Sequence, residues 1–232
     1  MGKLYDELKT DYRFREGLKT CINCGTCTAI CPAAEFYKYD PRKILDTIQR
    51  KDEDAIEALL KSDTIWYCGE CMSCVTRCPR GNGAGLVIMA LRNLSAKKGW
   101  FTCSEKGRQL WPLTKTLTDN ILNTGYCLHP STIRAEDYPE AGPVMEWMLD
   151  NKEEVYGRLG ANYEGKGPGV LRHIPQEDLD ELRAIFDETG GTERIRAVER
   201  ASREKAAELG MDFEAYTAYT YEHCSPGHFN NE

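Results

Sequence analysis

The sequence predicts an all-α fold, and two observations carry that prediction. Apolar residues recur at three- and four-residue spacing between capping and stop residues, while no stretch alternates with the period of two that marks a half-buried strand. One cysteine motif, CxxCxxCxxxCP, occurs twice without a gap, as Cys21-Ile-Asn-Cys24-Gly-Thr-Cys27-Thr-Ala-Ile-Cys31-Pro32 and as Cys68-Gly-Glu-Cys71-Met-Ser-Cys74-Val-Thr-Arg-Cys78-Pro79, with helical patterns flanking both copies.

The spacing of the motif dictates its chemistry. Three thiolates two residues apart can wrap one face of a cubane iron–sulfur cluster, and the proline turns the chain so that the fourth thiolate points away from it. The fourth cysteine of each copy is therefore expected to serve the other cluster. This gives two 4Fe-4S clusters, one on Cys21, Cys24, Cys27 and Cys78 and one on Cys68, Cys71, Cys74 and Cys31, the crossed ligation of bacterial-type two-cluster ferredoxins. Disulfides are the weaker reading, because eleven cysteines is an odd count and the start of the chain has no apolar leader. Structural zinc is the better rival, yet four-thiolate zinc sites present separated pairs and would have no use for a triplet followed by CP twice over.

Composition limits the rest. The 232 residues suffice for one ordinary domain with an extension, and a net charge of −7 with no basic block argues against nucleic acid. The longest uninterrupted apolar run, residues 86–91, is far short of the roughly 20 residues a membrane helix requires, so a soluble, cytoplasmic protein is expected.

Taken in order, Leu4, Tyr5 and Leu8 are spaced for a short amphipathic helix, expected to lead into the first motif and cover cluster one. Asp40 as N-cap and Pro41 at the first helical position open a helix carrying Ile44, Leu45 and Ile48. Ile56, Leu59 and Leu60 mark the next helix, which Ser62 and Asp63 stop. The glycines in residues 81–85 lack dinucleotide-loop spacing and follow no strand, so close approach of backbone to a cluster is the better reason for them. A helix is then predicted over 86–98, closed by Gly99. Thr102 and Glu105 read as a capping box for a longer helix through Leu110, Leu113, Leu117 and Ile121, bent at Pro112 and stopped by Gly125.

Residues 20–125 resemble the C subunit of heterodisulfide reductase. The likeness extends past the cysteines to Cys24-Gly25, Pro41-Arg42, Ile65-Trp66, Cys78-Pro79-Arg80-Gly81 and Leu91-Arg92. It implies an α-helical ferredoxin domain that carries electrons between a flavin/iron–sulfur subunit and a catalytic subunit with CCG repeats, acting on disulfide, thiol or protein-bound sulfur. The related complexes of sulfur-oxidising organisms share this plan. No Cys-Cys pair and no flavin fingerprint occurs in this sequence, which suits a relay without a substrate site of its own. A rival from another class is an iron–sulfur subunit of a succinate dehydrogenase or glycerol-3-phosphate dehydrogenase type. The first would need plant-type CxxxxCxxC spacing upstream, and only residues 1–20 precede Cys21.

These readings divide the chain into a cluster domain, 1–125, and a partly helical extension, 126–232, expected to dock on a partner. Helices are predicted over 143–151 (Val144, Trp147, Met148), from Pro175 (Leu179, Leu182, Ile185, Phe186) and from Thr192 as cap (Ile195, Val198, Leu209), with the remainder extended and open to protease near 165–169. Phe213, Tyr216, Tyr219 and Tyr221 end the chain with an aromatic group suited to an interface or to ordinary packing. Cys103 and Cys127 are expected to be small buried hydrophobes, and Cys224, between His223 and His228, to lie in a solvated tail. Arg77, Arg80 and Lys38 are placed to raise a cluster's potential or simply to solvate the surface, and Trp66 to shield a cluster or join the core.

Overall fold

The computed structural model describes residues 2–135 and 141–222, and every regular element among them is a helix. The chain divides into two compact units, Met1–Leu110 with Arg200–Lys205, and Trp111–Glu199 with Ala206–Glu232. No helix among the described residues is long and apolar enough to cross a membrane.

The first unit begins with two short helices where one was expected, α1 (Lys3–Leu8) and α2 (Tyr12–Gly17), because the Asp11 carboxylate caps α2 by accepting from the Arg13 N–H. Short helices α3 (Thr26–Ala29) and α4 (Ala33–Phe36) follow the first cysteines. Asp40 caps α5 (Pro41–Arg50) through the N–H groups of Arg42 and Lys43, with Pro41 in its first turn as predicted. Asp52 caps α6 (Glu53–Leu60), and α7 (Ser73–Arg77) belongs to the second motif. The hub is α8 (Ala84–Lys97), which packs against α1, α2, α5, α6 and α7. Its Val87 and Leu91 meet Ile48, Ile56 and Leu60 in a core where all five are wholly buried. Each such side chain stabilises the fold by about 1.5–3 kcal/mol. Residues 1–18 pack on this core and line neither cysteine cavity described below, so they do not cover a cluster as expected.

The predicted long helix after Thr102 is two helices. Thr102 lies in a 3-10 turn, Trp100–Cys103, and donates to the Gly99 carbonyl, while Ser104 caps α9 (Glu105–Arg108) by accepting from the Gly107 N–H. Pro112 cannot donate to the carbonyl at position 108 and its ring would clash there, so the chain breaks at Gln109 rather than bending. Helix α10 (Leu110–Thr124) then runs to Gly125, whose φ of 78° is the left-handed stop expected of it. Leu113, assigned to an apolar face, is exposed.

The second unit continues with α11 (Pro143–Asp150) and α12 (Lys152–Arg158), the latter in a stretch expected to be extended. Next come α13 (Gln176–Glu188), α14 (Gly191–Glu208), whose residues 200–205 belong to the first unit, and α15 (Phe213–Glu222). Thr192 lies inside α14 and bonds the Asp187 carboxylate, so it is no cap. Within this unit Trp111 packs at 4.9 Å on Phe213, which stacks on the buried Tyr216, and Trp111 Nε1 donates to Thr217 Oγ1 at 2.8 Å. The loop at 162–173 is closed by hydrogen bonds: Asn162 N–H to Val170, Glu164 N–H to Leu171, and the Asn162 amide to the carbonyls of residues 166–168. Cys224, His223 and His228 lie outside the described residues, as does the side chain of Tyr221.

Candidate metal centre

The two copies of the motif follow one backbone path. In each, the residue before the second cysteine and the residue after it are left-handed: Asn23 (φ 60°) and Gly25 (φ 85°) in the first, Glu70 (φ 53°) and Met72 (φ 58°) in the second. Three of the four carry a Cβ, and each of those conformations costs about 1–2 kcal/mol, so the surroundings impose them. The twist aims the N–H of Asn23 at Cys21 Sγ and that of Glu70 at Cys68 Sγ, both at 3.4 Å. A hydroxyl lies against each second cysteine, Thr26 Oγ1 at 3.3 Å from Cys24 and Ser73 Oγ at 3.5 Å from Cys71. These hydroxyls hold both thiols below their ordinary range. The third cysteines ride on α3 and α7, which touch and so bring the motifs together.

Two cavities open between the loops. The first is lined by Cys21, Cys24, Cys27 and Cys78, with Cys74 also on its wall beside Arg42 and Arg80. The second is lined by Cys31, Cys68, Cys71 and Cys74, with Tyr39, Met72, Gly85 and Ile88. Among the described residues every cysteine is free, and no three His, Cys, Asp or Glu side chains converge as a single metal ion requires. Thiols ring each cavity instead, with N–H donors aimed at sulfur and apolar side chains filling much of the wall, which is the setting that suits a thiolate-bound cluster. Burial pushes the Cys27 thiol up to about 11, with the neighbouring sulfurs of Cys21 and Cys74 adding to the shift, so a metal bound there must displace a proton. Gly85 meets the expectation of close approach. Its N–H donates to Cys74 Sγ at 3.3 Å, and a Cβ there would stand 3.0 Å from Met72 Sδ.

Side chains far away in sequence hold the loops, and motif spacing could not reveal them. Asn82 is buried and bridges the second motif to the first, accepting from Lys19 N–H at 2.7 Å and donating to the Thr20 carbonyl at 3.0 Å. The Gln49 amide grips Cys21 on both sides, accepting from its N–H at 2.9 Å and donating to its carbonyl at 3.3 Å. Arg92 forks over the second loop, donating to the carbonyls of Ile65 (2.7 Å) and Cys68 (2.6 Å) and pairing with Glu70 at 2.6 Å. Its place in the Leu91-Arg92 pair was the one signal the sequence offered for any of these residues.

Of the cations singled out by position, Arg80 lines the first cavity, whereas Arg77 and Lys38 line neither. Trp66 lines neither as well. It packs against the core with Arg92 over its ring, 5.3 Å from the centroid. Cys103 and Cys127 are exposed rather than buried and stand apart from both cavities.

Comparison with known proteins agrees with this geometry. The 4Fe-4S dicluster domain family matches residues 17–82. The C subunit of the ferredoxin:CoB-CoM heterodisulfide reductase of Methanosarcina mazei is 35% identical over 167 residues, covering 72% of this chain and 82% of that protein. The chain belongs to the family of heterodisulfide reductase C subunits. The C subunit of the H(2):CoB-CoM heterodisulfide,ferredoxin reductase of Methanothermobacter marburgensis is similar at 33% over 176 residues, 75% of this chain and 76% of its own length. The match to the C subunit of the ferredoxin:CoB-CoM heterodisulfide reductase of Methanosarcina acetivorans is tighter and shorter, 42% over 83 residues, and spans 36% of this chain but only 32% of that protein. This protein is a two-cluster 4Fe-4S protein of the α-helical ferredoxin type.

Proposed function

We propose that this protein relays single electrons between a flavin/iron–sulfur subunit and a catalytic CCG-type subunit, in a complex that acts on disulfide, thiol or protein-bound sulfur. The observation that carries the reading is the pairing of cysteines around the cavities, where three thiols of one motif stand with the last thiol of the other. It supports a first ligand set of Cys21, Cys24, Cys27 and Cys78 and a second of Cys68, Cys71, Cys74 and Cys31. Each 4Fe-4S cluster, when bound, exchanges one electron. Around them the chain's own residues aim N–H donors at the sulfurs and favour the more negative state, as Asn23, Glu70 and Gly85 are placed to do, with the hydroxyls of Thr26 and Ser73 beside the second cysteine of each motif. The names of its relatives, CoB-CoM heterodisulfide reductases, support the substrate class.

Residues 126–232 serve in this reading as the extension that docks on a partner subunit. Its exposed apolar side chains, among them Leu128, Val144, Trp147, Leu159 and Val170, supply a surface for that role.

Spectroscopy on the isolated chain tests the assignment. Cys31→Ser should alter the same electron paramagnetic resonance signal as Cys71→Ser, and Cys78→Ser the same signal as Cys24→Ser, while the wild type takes electrons from an artificial reductant and turns over no disulfide. Uncrossed pairing would refute the ligand sets, and disulfide turnover that scales with the pure chain would refute the relay.

A further inference from the structure

One buried hydroxyl in the second cavity lacks a partner. Tyr39 is 3% exposed, and its ring is fixed edge-on by Tyr67 at 6.2 Å, which itself stacks on Tyr37 at 4.4 Å. Its hydroxyl makes no hydrogen bond among the described residues, although the residue lines the same wall as Cys31, Cys68, Cys71 and Cys74. An orphaned buried hydroxyl is costly, and a phenylalanine would fill the same space without that cost, so the oxygen itself calls for a function. Of those sulfurs, Cys31, Cys68 and Cys74 also pack against the core that holds Tyr39. Burial holds the phenol protonated. The tyrosine is therefore a donor without an acceptor until a sulfur in this wall becomes a metal ligand.

The first cavity differs on this point. Two guanidinium groups line it, Arg42, paired with Asp40 at 3.0 Å, and the exposed Arg80, whereas no cation among the described residues lines the second. Charges at an exposed mouth are screened by salt, but a hydroxyl inside the wall is not.

We propose that the Tyr39 hydroxyl donates a hydrogen bond to a cysteine thiolate of this wall when the second cluster is bound, and so raises the reduction potential of that cluster alone. The inference rests on the ligation proposed above. Reduction places one electron, supplied by the electron donor, on the cluster and makes its sulfurs more negative, which strengthens a hydrogen bond from a neutral donor. No bond forms or breaks, and the proton stays on the tyrosine oxygen. Tyr39 is in this sense a positioning residue that tunes the second cluster.

The test is a redox titration of the full chain carrying both clusters, followed by electron paramagnetic resonance, with the second cluster defined as the one whose signal Cys71→Ser alters. In Tyr39→Phe, iron should remain at about eight per chain. The reduced-to-oxidised ratio of the second cluster at fixed potential should fall about tenfold, a shift of about 59 mV for one electron, with the first cluster unmoved. No shift, or an equal shift in both clusters, overturns the proposal. If Tyr39→Phe does not hold both clusters, a fluorinated tyrosine placed at position 39 keeps the ring and is a stronger donor. The same ratio must then rise, and an unmoved ratio overturns the proposal. Failure of the crossed ligation shows separately, because Cys31→Ser would then alter the signal that Cys24→Ser alters.

Discussion

The two motif loops share a backbone path and a set of donors but are held by different chemistry. Neutral amides hold the first: Gln49 grips Cys21, and Asn82 grips Lys19 and Thr20. A guanidinium holds the second, through Arg92 on Ile65, Cys68 and Glu70. The left-handed residue after the second cysteine is glycine in one copy and Met72 in the other. Repeating a motif repeats the geometry that thiol spacing requires, while the groups around each copy differ and leave the two centres chemically unequal.

The largest expected break in this comparison is Arg92→Lys, because an ammonium cannot reproduce a fork that meets two carbonyls and a carboxylate. A loss of about 2–3 kcal/mol is expected, seen as earlier bleaching of the second cluster in anaerobic melts. Gln49→Leu should cost about 1 kcal/mol and release the first cluster instead. Bleaching of the same cluster first in both variants would show that the clamps are not specific to their loops.

A smaller effect separates the left-handed positions. A methyl group at Gly25 meets only Arg42 Cδ, 3.9 Å away, so Gly25→Ala should cost about 1 kcal/mol through backbone strain alone. Met72→Gly relieves the same strain but removes the Sδ that lies over Gly85, so its net change should be smaller. Melting temperatures of the two variants decide this, and an equal loss in both would place the cost in side-chain packing.

The last contrast is one of protection rather than energy. The first unit has an extended buried core, whereas α11 and α12 of the second have no buried side chain. Amides of α11 and α12 should exchange faster than those of α8 in the free chain and become protected in the assembled complex. Equal protection in both states would remove the docking role proposed for the extension. The closed loop at 162–173 should resist protease better than its glycines suggest, since its backbone groups are paired.

What the sequence determined by itself was local. Asp40 and Pro41 start a helix, Gly99 and Gly125 stop helices, and two runs of CxxCxxCxxxCP space thiols as cluster ligands are spaced, because caps, left-handed stops and ligand spacing act among neighbours. Where two local signals competed, packing chose: Ser104 rather than Thr102 became the cap, and Pro112 ended a helix that the apolar spacing had carried through it. Tertiary structure alone decided which distant groups reach each loop. Gln49 meets Cys21 across 28 positions, Asn82 meets Lys19 across 63, and Tyr39 enters the wall of the second cavity, since those meetings follow from how α5 and α8 pack and leave no periodic trace in the chain.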